Sequence, residues 1–247
     1  MGVNKVICKN ETIMDITSST VTEENLLAGV IAFNAAGDKI TGTLPVNTAS
    51  VANWIANPTT VALILPEGIT TIGDSAFRGC LGLYGLEIPE TLKTIGGQSF
   101  RGCTNLTGAI NLKNVTKLGG AAFRDSSKIS SISMDAMEDI GDNAFRGLTA
   151  ITSVTLPGTV NAVRAMAFSG CTGLATVTFT QGDKTIPTGT MASDMFSGCT
   201  ALTDIYVYWA EGKVANAPWG APTGCKIHYS DKIMQVQSDG TLAEVTE

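Results

Sequence analysis

The chain has 247 residues, with 16 Lys+Arg against 22 Asp+Glu and a formal net charge of −6. That balance leaves no basic patch for a nucleic-acid backbone or an anionic membrane surface, so neither is expected as a partner. Hydrophobic residues reach 44% while only 15% are charged, which allows a sizeable core under a Ser-, Thr- and Asn-rich surface, but the longest apolar runs fall far short of the ~20 residues a membrane span needs.

The opening MGVNKVICKN lacks a basic segment followed by a hydrophobic stretch, and Ile7 stands where a myristoylation signal wants Ser or Thr. Neither a signal peptide nor a lipid anchor is expected from it. Val21 to Phe33 reads as a short Thr-capped helix, with Glu23 and Glu24 in the first turn, where the helix dipole favours carboxylates. GDKITGTLP then reads as a turn and a short strand. Residues 1–45 are taken as a small N-terminal module, and residues 46–60 as a linker and N-terminal cap.

From there the chain repeats itself. IGDSAFRGC, ending at Cys80, returns as IGGQSFRGC, ending at Cys103. Anchored on Phe77, Phe100, Phe123, Phe145, Phe168 and Phe196, the spacings are 23, 23, 22, 23 and 28. Five residues before each Phe stands an apolar residue: Ile72, Ile95, Leu118, Ile140, Val163 and Met191. Three residues after it stand Cys80, Cys103, Ser126, Leu148, Cys171 and Cys199; six after it, Leu or Ile without exception. A fixed period of this length decides the architecture, because one such unit cannot bury its apolar edge alone and must stack on its neighbours.

Within one unit, Val154 and Leu156 alternate with Ser153 and Thr155, the period of a strand with one buried face. Pro157 ends that strand because it has no N–H to pair. The AMAFSGC segment reads as a short helical turn closed by Gly170. Asp125 replaces that glycine in the third unit, so its turn is expected to be the least regular. The long gap before Phe196 holds an insertion, TQGDKTIPTGTMAS, expected to bulge from one face. The solenoid is placed at residues 61–207, in about six or seven turns. Residues 208–247 supply an aromatic C-terminal cap, with Tyr208, Trp209, Trp219 and Tyr229, for which an aromatic carbohydrate platform is the alternative reading, and a tail hairpin at QSDGTLAE.

The pattern LPxxxxxIGxxAFxGCxxLxxxxLP, from about Val61 to Val207, resembles the BspA-type leucine-rich repeat of bacterial surface proteins, protist proteins and some phage proteins. The resemblance implies an α/β solenoid of right-handed leucine-rich-repeat type. A parallel sheet would form one face and short helical turns the other, with terminal caps. It implies binding or adhesion as the role, with no shared catalytic residues. The stretch Asn10 to Pro45 is similar to a short module of phage and prophage tail or baseplate-associated proteins. The matching residues are Asp15, Ile16, Thr17, Thr20 to Thr22, Leu26, Leu27, Gly29, Gly37, Ile40, Gly42 and Thr43.

Little in the chain suggests catalysis. His228 is the sole histidine; with Cys225 it gives two ligands where a structural zinc site wants four, so it reads as a surface or cap residue. The outward strand positions are expected at Gly85 and Glu87, Gly108 and Ile110, Ser131 and Ser133, Ser153 and Thr155, Thr176 and Thr178, and Asp204 and Tyr206. Glu87 and Asp204 would then be five turns, or roughly 24 Å, apart, against about 5–10 Å in glycosidases. The loops carrying Asp135, Glu138 and Asp139 leave a glycan hydrolase as a minor alternative. No catalytic, cofactor or metal residue is assigned. Thr155, Thr178, Asp204, Tyr206 and Tyr208 are the candidate binding residues on the sheet face and aromatic end.

The expected function is a non-enzymatic binding module for a protein or glycan on a bacterial or host surface. Its leading setting is a phage or prophage tail assembled in the cytosol, with a cell-surface or secreted adhesin as the alternative. A homo-oligomer is left open, since no heptad enforces one. Cys80 with Cys103, and Cys171 with Cys199, should stack on adjacent turns with Cβ atoms near the 4.8 Å strand spacing, beyond the roughly 3.5–4.5 Å of a disulfide. These four are expected to be reduced, inert thiols acting as small hydrophobes, with Cys8 and Cys225 outside the ladder.

Overall fold

The computed structural model describes residues 3–8, 11–15, 31–34, 39–41, 61–65, 68–181 and 191–245. Each repeat makes one coil of a β-solenoid. Each coil lends one strand to a first parallel array: β5 (Val61–Ile64), β7 (Leu83–Glu87), β9 (Gly108–Asn111), β11 (Ile129–Ser133), β13 (Ser153–Leu156), β15 (Thr176–Phe179), β16 (Asp204–Tyr206) and β17 (Lys226–His228). Eight strands mark about seven turns between the first and the last. The ladder is hydrogen-bonded in three groups, β5–β7, β9–β11 and β13 onward.

A second array is built from two-residue strands: β6 (Thr71–Ile72), β8 (Thr94–Ile95), β10 (Lys117–Leu118), β12 (Asp139–Ile140) and β14 (Ala162–Val163). Their apolar members are the residues five before each Phe, and all are buried. This array runs on into the N-terminal strands β1 (Val3–Cys8), β2 (Glu11–Asp15), β3 (Ile31–Asn34) and β4 (Lys39–Thr41). The join is antiparallel, Met14 opposite Ile72 and Asp15 opposite Thr71. The N-terminal segment therefore seals the open edge of the first coil. Ile31 to Phe33, expected to end a helix, lie in β3; the rest of that expected helix, residues 46–60 and, of the 180–193 insertion, residues 182–190 lie outside the described residues.

No helix occurs among the described residues, so the expected helical turns are corrected. The AFxG segment is instead a run of tight turns. Arg78 N–H donates to Ser75 C=O at 3.1 Å and Cys80 N–H to Phe77 C=O at 3.1 Å. The alternate amides turn outward: those of Ser75, Phe77 and Gly79 donate to the Gly97, Ser99 and Arg101 carbonyls of the next coil, at 2.7–2.8 Å. A helix would send every amide back four residues. Here left-handed residues flank the Phe on both sides, as with Ser75 (φ 58°) and Gly79 (φ 68°), and reverse the chain too sharply for that. Asp125 adopts the same conformation as the glycines it replaces, with φ 63°, and its amide donates to Arg146 C=O at 2.8 Å. The turn expected to be irregular is regular, because Asp is among the few residues that tolerate the left-handed region.

The recurrent phenylalanines stack into a column. Neighbouring ring centroids lie 5.1, 5.1, 5.9, 5.2 and 5.8 Å apart from Phe77 to Phe196. The station three residues later is more than a small apolar filler. Cys103 Sγ donates to Phe77 C=O at 3.1 Å, Ser126 Oγ to Phe100 C=O at 2.7 Å, Cys171 Sγ to Phe145 C=O at 3.2 Å and Cys199 Sγ to Phe168 C=O at 3.1 Å. Cys80, Cys103, Cys171, Cys199 and Cys225 are all reduced thiols. Burial pushes Cys103 and Cys225 up to about 12.

At the far end, Trp209 and Trp219 are buried against Phe179, with centroids 5.1 and 6.1 Å from its ring. Beyond them β18 (Ile233–Val236) pairs antiparallel with β17, and β19 (Leu242–Glu244) pairs antiparallel with β18. The two tryptophans close the core and offer no exposed platform.

Candidate functional site

The first sheet turns one set of side chains into the core and the other to solvent. Val154, Val177, Ile205 and Ile227 point inward and are buried. The outward set forms two rows fixed by strand register. Ser153, Thr176, Asp204 and Lys226 lie in one row; Thr155, Thr178, Tyr206 and His228 lie in the other. Toward the other end the rows continue through Ser131 and Ser133. In the second coil the expected outward residues are corrected: Ile110 is buried, and Ala109 and Asn111 face out. That coil carries one extra residue before the strand, and Gly108 absorbs it at φ 82°.

Four of the five candidate binding residues thus share one surface. Thr155, Thr178 and Tyr206 are in line, with Asp204 in the neighbouring row. Tyr208 lies past the end of β16, outside the registered rows, half-buried and edge-on to Trp209 at 4.9 Å. Burial raises its phenol.

The sequence reading missed His228. It sits one coil beyond Tyr206, and the two rings stack at 4.2 Å and 17°. Its Nε2 is 2.7 Å from Asp204 Oδ1. The period itself carried the signal, since His228 and Lys226 each stand 22 residues after Tyr206 and Asp204. Cys225, its supposed companion, is buried on the core side. The imidazole holds the Asp204 carboxyl below its ordinary value of 3.8, through the hydrogen bond first and charge less, with help from Thr203 and Lys226.

Glu87 and Asp204 stand five strands apart, which at the spacing of parallel strands is roughly 24 Å. Of the loop carboxylates, Asp139 lies in β12 of the second array, Glu138 directly before it, and Asp135 in the turn that follows β11. Asp139 takes a two-pronged bond from Arg164, Nε to Oδ1 and Nη2 to Oδ2, both at 2.9 Å. That pair, with Thr94, Lys117, Glu138 and Asn161, lines a shallow cavity of about 400 Å³. A carboxylate gripped this way is an acceptor already in use. Among the described residues no three His, Cys, Asp or Glu side chains converge as metal ligands, and no helix is long and apolar enough to cross a membrane.

A stack of coils with an exposed, side-chain-bearing parallel sheet is the architecture of a leucine-rich-repeat protein. The sequence matches the BspA type leucine rich repeat region in six copies, over residues 56–175 and 134–217, and the chain belongs to that family. Among solved structures it is similar to the leucine rich repeat protein of T. pallidum, TpLRR. Identity is 24% and the TM-score 0.54, covering 66% of this chain and 79% of that one. A leucine rich cell surface protein from Faecalibacterium prausnitzii A2-165 matches at 19% identity and a TM-score of 0.43, over 71% of this chain and 37% of that one. A leucine-rich repeat protein from Bacteroides ovatus ATCC 8483 matches at 18% and 0.33, over 73% and 63%. A search of curated proteins gave no match.

Proposed function

We propose that the protein is a non-enzymatic binding module acting at a bacterial cell surface, with the outward face of the first sheet as its contact surface. The observation that carries this is the content of that face. Ser131, Ser133, Ser153, Thr155, Thr176 and Thr178 set six hydroxyls on three successive strands, and Asp204, Tyr206, Lys226 and His228 follow at one end. Hydroxyls donate and accept without net charge, so the face suits a partner rich in hydroxyl or amide groups. Family membership supports binding over catalysis, as does the wide separation of the two carboxylates on the face. A protein or glycan of a bacterial or host surface fits this chemistry. A phage or prophage tail is the second setting, favoured by the Asn10–Pro45 segment alone.

The test is binding of the labelled chain to intact bacterial and host cells. Thr155→Arg, which drives a long charged side chain up from the centre of the face, should abolish the signal without lowering the unfolding midpoint. Undiminished binding by that variant, or no binding by the native chain, would overturn the proposal.

A further inference from the structure

We infer that the open face of Tyr206 and the hydroxyl floor beside it form a slot for a single pyranose residue of an uncharged glycan. This rests on the reading of the first sheet as the contact surface and names the ligand class for it. Tyr206 and His228 are register partners on adjacent parallel strands, and their rings stack. The ring normal therefore runs along the solenoid axis. His228 covers one face of Tyr206, so the other looks back along the axis over Thr178, its partner on β15. Tyr206 stays 42% exposed. The result is a wall standing on a floor.

A pyranose is built for such a corner, with one face of C–H groups and a rim of hydroxyls. The C–H face meets the electron-rich face of the phenol ring. Thr178 lies one strand from the wall and Thr155 two, at about 4.8 and 9.6 Å, so both hydroxyls lie beneath the rim. Thr176, two residues before Thr178 on the same strand face, adds a further hydroxyl beside the slot, while Asp204 is engaged by His228 on the far side of the ring. The wall is also braced: His228 is held by its bond to Asp204 at 2.7 Å and by its stack on Tyr206, so little side-chain freedom remains to be lost on binding. A floor without positive charge near its centre gives no anchor for a sulfated or phosphorylated sugar, so the occupant is neutral.

The full chain is applied to an array of immobilised oligosaccharides of glucose, galactose, mannose, N-acetylglucosamine and N-acetylgalactosamine, and to bacterial envelopes with and without periodate oxidation. Binding should appear on the array, or as periodate-sensitive binding to envelopes. Tyr206→Ala should weaken it at least tenfold, and Tyr206→Phe, which keeps the ring, should stay within about threefold. Tyr206→Phe keeps the stack on His228 and should unfold at the native midpoint, and Tyr206→Ala, which loses only that stack, should still be fully folded at the assay temperature. If envelope binding is abolished by Thr155→Arg but survives both periodate and Tyr206→Ala, the face binds and the sugar slot is wrong. If the native chain binds neither array nor cells, slot and face fall together.

Discussion

At Cys103, Cys171 and Cys199 the sulfur fills a core position and also donates its S–H to a carbonyl one coil earlier. Ser126 does the same with oxygen, which explains why one station accepts both residues. Burial raises the Cys103 thiol, and Cys171 is raised by its hydrogen bond with the Cys199 sulfur first and burial second. Since the thiolate is the reactive form, Cys103 and Cys171 are doubly protected, while Cys199, held below its ordinary value by the hydrogen bond with the Cys171 sulfur, is shielded by burial alone. Cys225, also buried, joins them. Thiol titration at about pH 8 should therefore count at most two fast groups, half-buried Cys80 among them, and all six after denaturation. Four or more fast thiols in the native protein would mean the coils are stacked in another register. Asp204 makes a second residue-scale prediction. Its folded value lies below the ordinary 3.8, so the stability it contributes is present above that value and is lost as pH falls through the depressed one. Asp204→Asn should lower the urea midpoint at about pH 7, and the gap should close by about pH 2. A gap that persists in acid would show that packing, not ionisation, is what the variant removes.

The coil as an element depends on a column and on a close approach. Phe123 sits between Phe100 and Phe145 and is 1% exposed. Phe123→Ala should cost about 3–5 kcal/mol, and Phe77→Ala less, because Phe77 is only partly buried at the column's end. Chemical denaturation of the two variants decides this; equal losses would deny the column. A glycine follows four of the five short strands, and at Gly96, Gly119 and Gly141 it matters for space. A Cβ at Gly141 would stand 2.7 Å from Gly119 C and Gly120 N, so Gly141→Ala should force the coils apart and cost about 1–3 kcal/mol or more. Much of this was legible in the sequence. Matched stations set the core positions, and period-two alternation placed Thr155, Thr178, Asp204 and Tyr206 on one face. The helical turn was misread because Ala-Phe-x-Gly looks like a capped helix; only the pairing of alternate amides with the next coil tells them apart, and that is not local. Ile110 was turned the wrong way because one extra residue shifts a strand to its other face. His228 was weighed against Cys225 when its distance from Tyr206, equal to the period, already named its neighbour.

As a whole molecule the solenoid is nearly one-dimensional. Each coil touches the next, and only the ends need special chemistry. The N-terminal end is met by β2 pairing with β6; the C-terminal end by Trp209, Trp219 and the β18–β19 hairpin. Trp219 is completely buried, its ring meets Phe179 and Trp209, and its carbonyl accepts the Phe196 amide at 3.0 Å. Removing its ring leaves the last coil poorly covered while every coil before Phe168 keeps both neighbours. In such a stack, opening free energy is set locally, so damage at one end should stay there. Native-state hydrogen exchange on Trp219→Ala should therefore show lost protection at the amides of Phe196, Cys199 and Leu202, with those of Phe100, Phe123 and Phe145 near native. Phe123→Ala should do the opposite, weakening the middle and leaving the C-terminal amides protected by their own cap. Uniform loss of protection along the chain in Trp219→Ala would mean that the coils open as one cooperative unit, and that the C-terminal cap stabilises the far end as strongly as its own.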